Sequence, residues 1–205
     1  MPYFIYAFEL MARHGLGADR FSFKVAEVFQ IDANNCKTLI YEPNLPKILP
    51  FRETNLKELV EYRSIEINSV QNLKIRFQTP LRIRRKDKFG KTYLLEKINF
   101  TEFFKQCSLR LKLLSENYGT AFDYDFLNLM EKSRTAKTSA DKLWRHDSVR
   151  LSTRQKNKLD LDGMLGDIEY EIEELANFLP FIIACEFLNI GSASSLGLGN
   201  YHLNS

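Results

Sequence analysis

The sequence predicts an α+β protein, and three observations support this. Of its 205 residues, 44% are hydrophobic and 27% charged, which is typical of a globular protein that buries a core of its own. Segments with strand-like alternation of apolar and polar residues are interspersed with segments of helical periodicity. From residue 64 to residue 205 the order is strand, helix, strand, strand, helix, strand, which is the βαββαβ order of a ferredoxin-like fold.

The first fifty residues contain fewer elements. Residues 2–13 are apolar all round and predict a buried helix, which Gly15-Leu16-Gly17 ends. Residues 20–29 alternate with period two and predict a half-buried strand, and residues 38–41 predict its hairpin partner. Residues 42–50 hold three of the six prolines and predict a linker.

The remaining segments supply the six elements of the ferredoxin-like unit, after a short helix near residues 56–62. Residues 122–131 predict an extra helix, as an insertion near residues 119–140. The first strand is interrupted at Thr79-Pro80. The six segments are residues 64–83, 95–118, 143–155, 164–172, 175–188 and 200–203.

An internal repeat links the two ends of the chain. The heptapeptide that starts at Phe4 recurs in similar form from Phe181, and Gly15-Leu16-Gly17 corresponds to Gly197-Leu198-Gly199 before a strand. Two copies of helix, Gly-x-Gly and strand predict tandem ferredoxin-like units, of which only the second is complete. We therefore expect residues 1–50 to be the end of a first unit plus a linker, residues 51–205 to be a complete domain, and the chain to be truncated. The alternative is that the two segments are not a repeat and are similar only because both lead from a helix into a strand.

The charge is unevenly distributed although the net charge is only +3. Residues 74–91 hold eight cations and one anion, and residues 131–158 hold nine cations and three anions. Residues 160–174 hold seven carboxylates and no cation. Such segregation predicts a basic face that binds a polyanion. Solvated surface runs are the alternative explanation.

Cysteine and histidine usage argues against a disulfide framework or a metal centre. Cys36, Cys107 and Cys185 form no Cys-x-x-Cys pair, and the three histidines lack metal-ligand spacing, so we expect no metal and no cofactor. A reducing cytoplasm is the expected location. The longest apolar run, residues 178–185, is far shorter than the roughly 20 residues of a membrane span, so no membrane partner is expected.

A few residues are candidates for chemistry. His146 lies among lysines and arginines and could act as a general base or acid on a ribose hydroxyl, with His14 as a second candidate. The alternative for His146 is an ordinary surface histidine. The glycine- and serine-rich loop at residues 191–199 could contact a phosphate backbone, or its glycines could merely cap a helix and turn the chain. Trp144 and Tyr201 are candidate stacking residues.

Several of these segments together resemble a known family. They are Arg82 after Thr79-Pro80, residues 150–155 leading to Leu161-Asp162-Gly163, and the terminal Gly197-Leu198-Gly199-Asn200-Tyr201. The combination resembles the C-terminal region of CRISPR-associated precursor-crRNA processing endoribonucleases of the RAMP superfamily. The likeness extends to residues 1–30, where Gly15-Leu16-Gly17 is similar to the junction between the two halves of that family.

The resemblance implies ferredoxin-like domains of RAMP type that bind CRISPR repeat RNA or crRNA, with other CRISPR-associated proteins as further partners. It implies metal-independent cleavage in the intact protein, in which a ribose 2′-hydroxyl attacks the adjacent phosphate and leaves a cyclic phosphate. For such cleavage, His146 is the catalytic candidate that the residues themselves offer, and His14 is a weaker one. The implied RNA-binding residues are Arg82, Arg84, Arg85, Arg150, Arg154, Gly191, Ser192, Gly197 and Gly199.

Two departures from the family favour RNA binding over catalysis in this chain. Asn189 and Ser192 stand where close members often have His and Lys, and many members place the catalytic histidine in the first domain. Two alternatives therefore stay open. One is a non-catalytic crRNA-binding subunit or scaffold of a CRISPR effector complex, and the other is a ferredoxin-like regulatory domain that binds a small molecule.

Overall fold

The computed structural model describes residues 2–17, 19–32, 36–45, 47–52, 55–67, 72–119, 124–152 and 157–204. The chain forms two compact units, Met1–Tyr62 and Arg63–Ser205. Within the described ranges, no helix has the length and apolar character needed to cross a membrane.

The first unit contains helix α1 (Pro2–His14), the antiparallel strands β1 (Val28–Ile31) and β2 (Lys37–Tyr41), and most of helix α2 (Leu56–Ile67). Helix α1 forms as predicted, but the prediction that it is buried is wrong. Tyr3, Phe4 and other large apolar side chains are exposed, and Ile5 and Ala12 are its buried apolar residues. An apolar composition predicts the helix, whereas burial requires a partner on each side of it.

The strand predicted at residues 20–29 is also largely wrong. Strand β1 begins only at Val28, and Arg20 has a φ of 50°, which reverses the chain so that Leu16 and Phe21 form an isolated bridge. Alternation predicts a strand only where a neighbouring strand is available to pair. The hairpin partner is confirmed as β2, which pairs with β1 from Ile31↔Lys37 to Val28↔Tyr41. The described part of residues 42–50 is neither helix nor strand.

The second unit holds eight strands and three α-helices among its described residues. In chain order after α2 they are β3 (Asn72–Leu81), β4 (Arg84–Lys86), β5 (Thr92–Leu94), α3 (Phe100–Tyr118), α4 (Phe126–Lys132), β6 (Lys137–His146), β7 (Val149–Ser152), β8 (Asn157–Asp160), β9 (Gly163–Glu171), α5 (Leu179–Glu186) and β10 (Tyr201–Asn204). Four of these strands, β3, β6, β9 and β10, form one antiparallel sheet in the order β10-β3-β9-β6. With α3 and α5 as the crossovers, the ferredoxin-like prediction is confirmed.

Several boundaries differ from the sequence-based expectation for physical reasons. Helix α3 begins at Phe100 rather than at residue 95, because the side chain of Asn99 caps it by accepting from the Glu102 N–H. Thr79-Pro80 does not end β3. The pairing of β3 with β9 shifts between Phe77 and Leu81, and this bulge accommodates a proline that has no N–H to donate.

Three other predicted segments have different limits. The predicted first strand begins as helix, because α2 extends to Ile67 and β3 starts at Asn72. The predicted ribbon at residues 143–155 divides into β6 and β7, and its residues 153–155 lie outside the described residues. The predicted extra helix is α4, which begins at Phe126 after residues 120–123, also outside the description.

The core lies between one face of the sheet and helices α3 and α5. Phe77 of β3, Phe103 of α3 and Tyr201 of β10 meet edge to face, with ring centroids 5.3–6.3 Å apart. Tyr201 is completely buried and donates its hydroxyl to the carbonyl of Ile182 in α5. The suggestion that Tyr201 stacks on RNA is therefore wrong, because its ring belongs to the core.

The buried carboxylate of Glu186 links α5 to β10. Glu186 accepts a hydrogen bond from the Leu203 N–H at 3.0 Å and pairs with Arg63 at 3.4 Å. The Arg63 guanidinium also donates to the Leu203 carbonyl at 2.7 Å. Both ends of the connection between α5 and β10 are thus anchored, and this connection carries the glycine-rich loop.

Candidate nucleic-acid interface

The glycine-rich loop is hydrogen-bonded at three points to the bulged end of β3 and the residue that follows it. The Ser192 N–H donates to the Arg82 carbonyl at 2.7 Å, and the Gly199 N–H donates to the Pro80 carbonyl at 3.0 Å. Between them the Thr79 hydroxyl donates to the Gly197 carbonyl at 2.8 Å. The loop and Arg82, predicted separately from the sequence to contact RNA, are therefore neighbours in space.

The glycines of this loop have defined structural tasks. Gly199 has a φ of +73°, and a Cβ there would stand 1.8 Å from the Ile190 carbonyl oxygen. At Gly191, with a φ of +79°, a Cβ would stand 2.8 Å from the Arg82 carbonyl oxygen, and Gly197 has a φ of +88° with open space around it. These positions need glycine for the turn itself, and their contact with RNA stays a prediction.

Asp162 gathers three arginines at the same end of the sheet. Its Oδ1 accepts from Arg82 Nε at 3.2 Å and from Arg84 Nη2 at 3.1 Å, and its Oδ2 lies 3.8 Å from Arg145 Nη2. The side chains of Asp162 and Arg82 are only 13% and 10% exposed. Burial acts to raise the pKa of Asp162, but the Arg84 hydrogen bond and the charges of Arg82 and Arg84 outweigh it, so the pKa is lowered.

The structure separates the predicted RNA-binding arginines by accessibility. Arg82 is buried against Asp162, and Arg85 turns toward α3 and pairs with Glu102. Arg84 is partly exposed beside Asp162, and Arg150 is exposed on β7. Arg154 lies outside the described residues. Of the described four, Arg84 and Arg150 present the most accessible charge.

An open groove of about 650 Å³ lies beside Asp162. It is lined by the cations Arg84, Lys91 and Arg145, by the carboxylates Asp162 and Glu96, and by Thr92, Tyr93 and Leu94 of β5. Tyr93 is half exposed. Cations beside an accessible aromatic ring suit the phosphates and bases of a nucleic acid. Sequence reasoning missed Tyr93 and the role of Asp162, because only the fold brings them to Arg84.

His146 is the last residue of β6 and lies opposite Gly163 at the start of β9. Gly163 packs so closely on β3 that a Cβ there would stand 2.8 Å from the Pro80 side chain. His146 is exposed, and its neighbour Arg145 reaches Asp147 at 2.9 Å and Glu96 at 3.3 Å. His146 therefore shares one end of the sheet with the arginines and the glycine-rich loop.

His14 belongs to the first unit, at the end of α1. Its ring Nδ1 lies 2.8 Å from the Leu10 carbonyl oxygen, within its own helix, and its side chain is exposed. Across the part of the chain that the structure describes, no group of three or more His, Cys, Asp or Glu side chains is arranged to hold a metal ion.

Comparison with solved structures shows the same fold. A Thermus thermophilus Cas6 (TTHB231) product complex matches with a TM-score of 0.53 and 13% identity, over 74% of this chain and 56% of that one. A partial Cas6-RT-Cas1–Cas2 complex matches with a TM-score of 0.55 and 14% identity, over 80% of this chain and 28% of that one. The chain thus spans little more than half the length of the first structure.

No curated protein matches this sequence. The family described as CRISPR-associated endoribonuclease Cas6 matches over residues 75–201. That range runs from within β3 to the first residue of β10, so it takes in β6, β9, most of β3, both crossover helices and the complete glycine-rich loop. More than half of the chain is matched, and the chain belongs to the CRISPR-associated endoribonuclease Cas6 family.

Proposed function

We propose that this chain binds CRISPR repeat RNA, as the RNA-recognition region of a precursor-crRNA processing endoribonuclease. The observation that carries the proposal is the convergence at one end of the sheet of Asp162 with its arginines, the glycine-rich loop and His146. Membership of the Cas6 family supports the same assignment. The polyanion is expected to lie along the groove beside Arg84 and Lys91.

Each part of this region would have a distinct task. Arg82 is buried against Asp162, and its carbonyl holds one end of the glycine-rich loop by accepting a hydrogen bond from the Ser192 N–H. Arg84 offers its guanidinium group to a phosphate. The exposed hydroxyl of Ser192 offers a further contact to the phosphate backbone. Contacts to phosphates position the RNA but do not read its base sequence. Because they are electrostatic, the affinity for RNA is expected to fall steeply as the salt concentration rises.

In the intact protein we propose metal-independent cleavage of the bound RNA. The ribose 2′-oxygen attacks the adjacent phosphorus, the bond to the 5′-oxygen breaks, and a 2′,3′-cyclic phosphate forms. His146 accepts the proton of the 2′-hydroxyl, and the departing 5′-oxygen takes a proton from water. Arg84 and Arg145 stabilise the negative charge that develops on the phosphate oxygens.

The test uses a labelled repeat RNA hairpin in buffer with EDTA. Cleavage that is lost in His146→Ala and kept in His14→Ala supports a competent site at His146. Binding without cleavage leaves the recognition role and favours the non-catalytic crRNA-binding subunit. Absence of binding even at low salt, where phosphate contacts are strongest, overturns the proposal and favours the small-molecule regulatory domain.

A matched pair of arginine variants tests the groove. Arg84→Ala is expected to weaken binding and to reduce the slope of log affinity against log salt by about 1, because one phosphate contact is removed. Arg52→Ala, which removes an arginine exposed in the first unit, is the control and should leave the slope unchanged. Equal effects of the two substitutions would contradict an assignment to the groove.

A further inference from the structure

The chain has one tryptophan, and it lies on an edge strand of the sheet. Trp144 is in β6, which pairs with β9 alone in the four-stranded sheet, and its side chain is 54% exposed. It lies opposite Leu165 in the register. The neighbouring β9 residues Met164 and Ile168 point into the core, so Trp144 is on the face that the helices leave open.

The ring of Trp144 packs against a glycine of the neighbouring strand. Gly166 of β9 has a φ of +121°, and a Cβ at that position would stand 2.5 Å from Cζ3 and 2.7 Å from Cε3 of Trp144. Two carbons of the six-membered ring therefore pack against Gly166, where the same Cβ would also stand 2.4 Å from the Lys142 carbonyl oxygen, and only glycine permits these approaches. The indole is thus packed against the neighbouring strand at one part of its ring while the side chain stays 54% exposed, so it offers an accessible aromatic surface in a restricted position.

A lysine and a histidine flank this platform on the same face. Strand alternation puts Lys142 and His146 on either side of Trp144, each about 6.6 Å away along β6. Both flanking side chains are exposed. A nucleobase stacks on an aromatic ring whatever its identity, and the phosphates on either side need cations. The positive charge of Lys142 and the polar ring of His146 favour a nucleotide over an apolar protein surface as the occupant.

We propose that Trp144 is a stacking platform for an unpaired nucleobase of the bound RNA. The inference rests on the proposed function and adds a subsite to it. A base on Trp144 places the adjoining ribose and phosphate next to His146, so the platform would fix the register of single-stranded RNA beside the candidate general base. The ligand class is a single-stranded nucleotide that flanks the paired part of the RNA.

The single tryptophan makes the test direct, because all indole emission comes from the proposed site. The full chain is titrated with a repeat hairpin that carries a single-stranded flank and with the same hairpin trimmed of that flank. Indole emission reports stacking, and the anisotropy of a fluorophore on the RNA reports binding independently. We expect quenching by the flanked RNA and little change with the trimmed one.

Substitutions complete the test. Trp144→Leu should weaken binding of the flanked hairpin about 5- to 140-fold, the range for loss of one base–aromatic stack, and leave the trimmed hairpin unaffected. Trp144→Phe should restore most of the affinity because it keeps a flat ring. Tyr118→Leu, at an exposed aromatic residue at the end of α3, is the control and should change neither.

The outcomes separate the two proposals. RNA that binds by anisotropy with unchanged indole emission and normal affinity for Trp144→Leu overturns the stacking platform and leaves RNA recognition standing. RNA that does not bind by anisotropy overturns the proposed function and the platform with it. Equal weakening of flanked and trimmed hairpins by Trp144→Leu would also overturn the platform, because loss of stacking can act only on the unpaired flank.

Discussion

Replacing Asp162 by Asn tests whether this carboxylate organises the arginines. The substitution keeps the volume and one acceptor oxygen but removes the charge that faces Arg82, Arg84 and Arg145. It also raises the net charge of the chain by one. A simple attraction between RNA and positive charge predicts tighter binding for Asp162→Asn, whereas a positioning role predicts weaker binding of the repeat RNA.

The cost to folding can be estimated from the exposure of each partner. Loss of one member of a buried ion pair costs about 3–5 kcal/mol, and the 13% and 10% exposures of Asp162 and Arg82 place their pair near that class. Arg84 and Arg145 are 36% and 49% exposed, so solvent screens their share. Because the amide oxygen still accepts one hydrogen bond, we expect a loss of about 2–3 kcal/mol. At about 3 °C per kcal/mol for a unit of this size, Tm should fall by roughly 6–9 °C.

The effect should depend on pH in a defined direction. The pKa of Asp162 is lowered in the folded protein, so its contribution to stability is present above its unfolded pKa, about 3.9. That contribution is lost as the pH falls through the lower folded pKa. The Tm difference between the unsubstituted protein and Asp162→Asn should therefore be constant above about pH 5 and shrink below about pH 4.

Thermal unfolding and a salt series of RNA binding are the assays. Asp147→Asn is the matched control, because Asp147 also pairs with Arg145 and its substitution changes the charge equally, but its side chain is 69% exposed. The control should alter stability by less than about 0.5 kcal/mol. A Tm for Asp162→Asn within about 2 °C of the unsubstituted protein, together with tighter RNA binding like that of Asp147→Asn, would refute the positioning role.

Two further predictions concern the loop and the thiols. Gly199→Ala should lower the free energy of unfolding in urea by at least about 3 kcal/mol, because the new Cβ would meet a carbonyl oxygen at 1.8 Å. Gly197→Ala should lower it by only about 1 kcal/mol, the cost of a positive φ for alanine. Equal losses would contradict the loop geometry. A thiol reagent should modify one cysteine of the native chain quickly, the exposed Cys36, and all three after denaturation; a second fast thiol would contradict the burial of Cys107 and Cys185.

The order of the elements in the second unit was predictable because each rests on local periodicity. The apolar spacing of α3 and the alternation of β9 are properties of single segments, and the chain supplies them in βαββαβ order. Their boundaries were less predictable. Asn99 moves the start of α3 by five residues from the expected position, because a side-chain cap and not the apolar pattern decides where the helix begins.

The similarity of α1 and α5 shows a second limit. The two helices share the repeated apolar segment, yet α5 is buried along most of its length and α1 exposes Tyr3, Phe4 and Tyr6. Composition predicts that a segment forms a helix that can be buried. Whether it is buried depends on what packs against it, and that information lies in other parts of the fold.

The sequence by itself determined the class of fold, the positions of the basic segments and the family resemblance, because these depend on periodicity, composition and short motifs. Only the tertiary structure decided which charges are available. Asp162 pairs with Arg82 and Arg84, and Glu102 pairs with Arg85. The Arg82 side chain is therefore buried at 10% exposure, while those of Arg84 and Arg85 stay 36% and 33% exposed. It also placed Trp144 on Gly166. Contacts between distant segments arise only when strands pair, and no local pattern contains them.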